Sequence, residues 1–168
     1  MARSSRRPEV DQGPERCHDR ALRLLSFRAR SSREMRDRLL RAGFAPETVE
    51  AEVQRLEAVS LLDDERFAED FTRSSVNYRK LGRRSVRAGL VAKGVDRTTI
   101  EAAVADLDEA SEQERADALA SARARRYVGK ERAAAFASLA GFLMRRGFDP
   151  WVARTAAGRA LSVETEPD

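Results

Sequence analysis

The strongest constraint on this chain is a glycine-ended helical run that occurs three times: Leu39-Leu40-Arg41-Ala42-Gly43-Phe44, Leu90-Val91-Ala92-Lys93-Gly94-Val95 and Leu143-Met144-Arg145-Arg146-Gly147-Phe148. The glycines stand 51 and 53 residues apart, as in an array where one supersecondary unit recurs and neighbouring units share their core. Eight and four residues before each glycine lie Met35 and Leu39, Val86 and Leu90, and Leu139 and Leu143; three before lie Leu40, Val91 and Met144. Such spacing lays an apolar stripe along one helix. Six, ten and thirteen residues after each glycine come Val49, Val53 and Leu56, then Ile100, Val104 and Leu107, then Ala153, Ala157 and Ala160. This is a second amphipathic helix in every unit. The alanines predict a thinner core in the third unit unless Trp151, Val152 and Leu161 turn inward, a departure expected of a terminal repeat.

The punctuation agrees. Glycine just past a helix end tolerates the left-handed backbone that stops the helix. The next helix then starts at Ala45-Pro46, Asp96-Arg97 or Asp149-Pro150, where Asp caps free amides and Pro suits the first turn. Ser31 with Glu34, and Ser111 with Glu114, fit capping boxes, and Asp63-Asp64-Glu65 places negative charge at a helix start. A further helix precedes each pair, with apolar residues Leu22 and Leu25, then Phe67 and Phe71, then Ala118, Leu119 and Ala122. The expected fold is therefore all-α, a tandem array of three three-helix repeats forming an elongated, curved molecule. Its expected divisions are a disordered arm over 1–18, repeats over 19–60, 61–110 and 111–162, and a disordered tail over 163–168.

With 42% hydrophobic residues in 168, the chain can bury a core shared between small units. No apolar run approaches the ~20 residues that span a bilayer, and no hydrophobic stretch follows the Arg-rich start as in a signal peptide. A cytoplasmic protein with no membrane partner is expected. The only histidine, His18, adjoins the only cysteine, Cys17, in the expected disordered arm, so no Cys-His dyad, Ser-His-Asp triad or zinc site can be assembled from them. No glycine-rich phosphate loop precedes Gly129-Lys130. Asp63, Asp64, Glu65, Glu69 and Asp70 are read as helix capping and surface rather than as a metal cluster. Neither an enzyme nor a cofactor is expected.

Charge comes in alternating blocks that the net +4 conceals: residues 73–97 carry eight basic side chains and one acidic, residues 98–117 one and seven. Opposite blocks either meet as solvated surface between helices or present basic helices to a polyanion. Arg73, Tyr78, Arg79, Lys80, Arg83, Arg84, Arg87 and Lys93 set an aromatic among cations, as backbone-tracking surfaces do. Arg36 and Arg41 in the first unit, and Arg145 and Arg146 in the third, are the matching cations. Gly89, inside the same helix, costs about 1 kcal/mol relative to alanine and points to a close approach there.

The run Leu61-Leu62-Asp63-Asp64-Glu65-Arg66-Phe67-Ala68, the basic Leu81-Gly82-Arg83-Arg84 and the Leu90–Val95 turn together resemble the bacterial RecX family of regulatory proteins, over roughly residues 19–161. The resemblance implies a monomer that binds the groove of the RecA filament on DNA, and inhibits its ATPase, strand-exchange and coprotease activities. Recombination, DNA repair and the SOS response would be modulated in consequence. DNA would be contacted mainly within the filament. The alternative is a stand-alone helix-turn-helix DNA-binding protein, since Leu39 to Leu56 fits that motif. A helical scaffold using protein contacts alone is a third reading.

Overall fold

Alternating apolar stripes and polar turns resolve, in the computed structural model, into an all-helical array. The structure describes residues 13–163, and among them are nine α-helices and no strand. These are α1 (Pro14–Phe27), α2 (Ser32–Arg41), α3 (Pro46–Ala58), α4 (Asp64–Asn77), α5 (Arg83–Ala92), α6 (Arg97–Ala103), α7 (Glu109–Ala124), α8 (Arg132–Arg145) and α9 (Pro150–Val163). A 3-10 turn, Arg125–Tyr127, follows α7. Helices α1–α3, α4–α6 and α7–α9 are the three repeats. The described residues gather into two compact parts: one runs to Phe67 and includes Lys93–Val95, and the other holds Ala68–Ala92 and the residues from Asp96 onward.

The first boundary differs from expectation. Helix α1 begins at Pro14 rather than at Asp19, and Cys17 is fully buried with Ala21 and Leu24, while Leu22 is 39% exposed. Short side chains such as Cys and Ala mark a buried stripe weakly, so hydropathy favoured the neighbouring leucines. His18 is likewise held, its Nδ1 lying 2.8 Å from the buried Glu52 carboxylate of α3. Residues 1–12 and 164–168, most of the expected arm and tail, lie outside the described residues, and Val163 closes α9. The same ambiguity affected α7: Ala116, Ala120 and Ala124 are buried, while of the expected residues Leu119 is half-buried against the same core and Ala118 and Ala122 are exposed. Its cap is Asp108, which accepts from the Ser111 amide, so the Ser111 capping box does not form.

The stripes before and after each repeat glycine are buried at every one of the offsets eight and four before, and six, ten and thirteen after. Leu40, Val91 and Met144 are not: they lie 43%, 61% and 42% exposed. One residue is 100° of helix, enough to carry this position from the edge of the stripe into solvent. In the third repeat Val152 turns inward, Trp151 stays 62% exposed, and Ala153, Ala156 and Ala157 are fully or almost fully buried against the alanine face of α7. Two alanine faces let helices approach closely, and Phe148 fills the volume that larger residues would have taken.

Gly43, Gly94 and Gly147 have φ of 93°, 73° and 87°, as helix stops require. Two of them also seat the array. The turn at Gly147 lies against the start of α5, where the amides of Gly82 and Arg84 donate to the carbonyls of Arg146 and Gly147 at 3.0 Å. In the first part, the Ser31 hydroxyl donates to the Lys93 carbonyl at 2.5 Å, and Gly94 rests on the Arg33 side chain. The free amides of a helix start are thus satisfied by the next repeat. Carboxylates complete both seats: Asp64 accepts from the Ser32 amide at 2.8 Å and Glu112 from the Arg83 amide at 2.9 Å. Gly89 faces the Phe71 ring, which stands 2.6 Å from where a Cβ would be.

Gly82 and Gly158 should answer oppositely to alanine. A Cβ on Gly82 would come 2.3 Å from the Phe148 amide nitrogen, so Gly82→Ala is expected to cost more than about 2 kcal/mol. A Cβ on Gly158 would meet only Phe136, at 3.9 Å, so Gly158→Ala should gain about 0.5–1 kcal/mol. Urea denaturation of both variants checks the pair.

Candidate functional site

Seven of the twelve cations and aromatics read from the sequence fall around one seat. The chain leaves α4 at Asn77 and turns through Tyr78, Arg79 and Lys80 before Gly82 meets the Arg146–Gly147 turn. Lys80 adopts a left-handed φ of 53°, which costs an L-residue roughly 1–2 kcal/mol, and the Leu81 amide donating to Ser75 holds the loop in place. The Arg146 guanidinium donates to the Arg79 carbonyl and lies 5.4 Å from the Phe142 ring centre. Arg83 and Arg84 open α5 and Arg145 closes α8, so the seat gathers charge from two repeats. Tyr78 is 84% exposed, the ring standing free in solvent beside these cations.

Arg79, Lys80, Arg84 and Arg145 make no ion pair among the described residues. The Arg83 Nε is buried with no hydrogen-bond partner, an orphaned donor at the edge of the cluster. This cationic surface can hold a polyanion or acidic protein groups by charge, with Tyr78 offering a ring for stacking. No group of three or more His, Cys, Asp or Glu side chains among the described residues could hold a metal ion. No helix among them is long and apolar enough to cross a membrane.

Of the other five expected residues, four are held in ion pairs within the fold and Arg41 stays exposed. Arg73 pairs with Asp70 at 3.1 Å, and Arg87 with Glu101 across from α6. In the first part, Arg36 is bound by Glu50 at 2.8 Å, whose hydrogen bonding raises the guanidinium pKa further against the opposing effect of burial. Arg41 is exposed at the last turn of α2, where its charge complements the helix dipole. Lys93 reaches Glu34 at 3.2 Å, and Arg30, almost buried, reaches the same carboxylate at 2.7 Å. Glu34 also accepts from Arg28. Burial alone would raise the Glu34 carboxyl; the hydrogen bonds from Arg28 and Lys93 outweigh it and hold its pKa down to about 2. In the sequence Glu34 stands out only as half of a capping box, because its partners lie up to 59 residues away.

The fold and surface define a class: a tandem three-helix protein that exposes a cationic seat between repeats. Residues 17–56 match the family model described as RecX, first three-helix domain, and residues 63–104 match RecX, second three-helix domain. A regulatory protein RecX of Mycobacterium sp. (strain KMS) is 36% identical over 166 residues, covering 95% of this chain and 91% of that one. That of Streptomyces lividans is 33% identical over 169 residues, covering 98% and 90%. The crystal structure of RecX from Lactobacillus salivarius superposes with a TM-score of 0.78 at 22% identity, over 89% of this chain and 97% of the other, a likeness of fold. This chain belongs to the RecX family of regulatory proteins.

The Glu34 network predicts a pH signature. A carboxyl depressed from 4.5 to about 2 in the fold contributes its full stabilisation above pH 4.5 and loses it as the pH falls towards 2. Glu34→Gln should therefore cost about 3 kcal/mol at pH 7 but only about 1 kcal/mol near pH 3, at 1.36 kcal/mol per unit. Urea unfolding of the wild type and the variant at the two pH values measures the difference.

Proposed function

We propose that this protein binds the RecA recombinase filament on DNA and inhibits its ATPase, strand-exchange and coprotease activities, so modulating recombination, DNA repair and the SOS response. Membership of the RecX family supports this choice of partner, and the observation that carries the mode of binding is the unpaired cationic seat of Arg79, Lys80, Arg84 and Arg145 beside Tyr78. A recombinase filament presents DNA phosphates and acidic protein groups together, and cations without internal partners keep their full charge for both. Binding by charge and shape blocks filament turnover or extension without any catalytic residue or cofactor in the inhibitor. On this reading the protein works in the cytoplasm as a monomer, and meets DNA mainly inside the filament.

The geometry disfavours the stand-alone helix-turn-helix reading of Leu39 to Leu56. In such a motif α3 would enter the major groove, yet its exposed face carries Glu47, Glu50 and Glu57. Glu50 and Glu57 also hold Arg36, the nearest cation on α2. Carboxylates there would face phosphates on both sides of the groove.

The triple change of Arg79, Lys80 and Arg84 to alanine removes only exposed side chains, so the fold should persist by circular dichroism. Half-inhibition of RecA ATPase on single-stranded DNA should then need about tenfold more protein, with a shallower dependence on salt. Unchanged inhibition with an unchanged salt slope would place the contact elsewhere.

A further inference from the structure

On the face of α5 beyond the cationic seat, an open groove of about 990 Å³ runs between α5 and the starts of α7 and α9. Its apolar lining comprises Ala88, Val91 and Ala92 from α5 and Trp151 and Val152 from α9. Val91 is 61% and Trp151 62% exposed, and a tryptophan is seldom left so bare. Arg84 and Arg87 stand along the same helix, one turn apart. From Arg84 to Val91 the helix rises about 10 Å, two turns. We propose that this groove docks an acidic amphipathic helix of a protein partner, whose apolar residues pack on Val91 and Trp151 and whose carboxylates meet Arg84 and Arg87.

Three observations select this occupant. The lining from α5 is aliphatic and short, which leaves room for large apolar anchors and offers bases no ring beyond the single indole. The cations are matched to carboxylates: Arg84 makes no ion pair among the described residues, and Arg87, although it holds Glu101, leaves 43% of its side chain exposed. Against a nucleic acid, Glu109, Glu112 and Asp149 line the same groove. A phosphate backbone carries charge at every step past these acids, whereas a helix places carboxylates only where the arginines are. Glu112 and Asp149 are already engaged, accepting from the amides of Arg83 and Trp151, and both fix the walls. The groove shares Arg84 with the cationic seat, yet the inference does not rest on the recombinase reading, because it concerns helix chemistry in any partner.

The one tryptophan of the chain is Trp151, so its emission reports the groove directly. The probe is a synthetic amphipathic peptide of about 14 residues, with leucine at i, i+3, i+4 and i+7 and glutamate on the flanks. Titrated into the full-length protein, it should shift Trp151 emission to the blue in a saturable manner. The same peptide with lysine for glutamate should bind at least about tenfold more weakly, since it faces the arginines with like charge. Val91→Glu, at an exposed position, should weaken the glutamate peptide by a similar factor. Absence of a saturable shift up to about 1 mM, the concentration of very weak binding, overturns the proposal. So does equal binding of the lysine peptide or undiminished binding to Val91→Glu. An oligothymidylate that saturates the emission change more tightly than the glutamate peptide assigns the groove to nucleic acid and overturns it as well. No recombinase enters the assay, so its outcome is separate from that of the ATPase measurement.

Discussion

The seating of one repeat's glycine turn on the helix start of another is the interaction on which the array depends. A helix start leaves amides without partners, and a helix end leaves carbonyls. At one seat the two deficits cancel, the Gly82 and Arg84 amides donating to the Arg146 and Gly147 carbonyls; at the other the Ser31 hydroxyl donates to the Lys93 carbonyl. The approach is close because glycine stands at the contact, on both sides in the case of Gly82 and Gly147. A carboxylate from the next repeat, Asp64 or Glu112, caps the same start. Each repeat thus completes the hydrogen bonding of its neighbour, which gives a physical basis for cooperativity in an array with thin individual cores.

The seat also organises charge. Bringing the Tyr78–Lys80 loop to the end of α8 gathers cations from two repeats at one place, and the acids that could neutralise them serve elsewhere. Glu112 caps α5, Glu101 holds Arg87, and Asp117 reaches Arg159. The first part does the reverse, enclosing Lys93, Arg30 and Arg28 around a single ionised carboxylate. Similar sequence blocks therefore yield an open charged surface in one place and a closed network in another. Whether a partner carboxylate lies within reach decides between them, and net charge says nothing about it.

Much of the fold was legible because it rests on local rules. The apolar offsets around Gly43, Gly94 and Gly147 located the second and third helices of every repeat, and the caps at Ser31 and Asp96 act as their side chains predict. Less legible were helices whose buried face is made of small residues. In α7 alanine occurs on exposed and buried faces alike, so periodicity could not fix its rotation, and in α9 the adjacent Trp151 and Val152 left open that Val152 turns in while Trp151 stays out. The start of α1 was hidden for the same reason, its buried Cys17 and Ala21 being too small to stand out. Of the candidate site, the cluster from Tyr78 to Arg84 was visible as a run of cations beside an aromatic. The loss of Arg36, Arg87 and Lys93 to internal pairs was not, because their partners are 14 to 59 residues away.

The sequence by itself determined the number of repeats, the helix stops, the stripes that face the core and the excess of positive charge, since each follows from the residue and its neighbours within a turn or two. Only the tertiary structure decided which cations remain free, why Gly82 cannot carry a side chain, that Gly89 faces the Phe71 ring, and that Trp151 and Val91 share a groove. Those properties depend on distances between segments far apart in the chain, and these are set by how the repeats seat on one another.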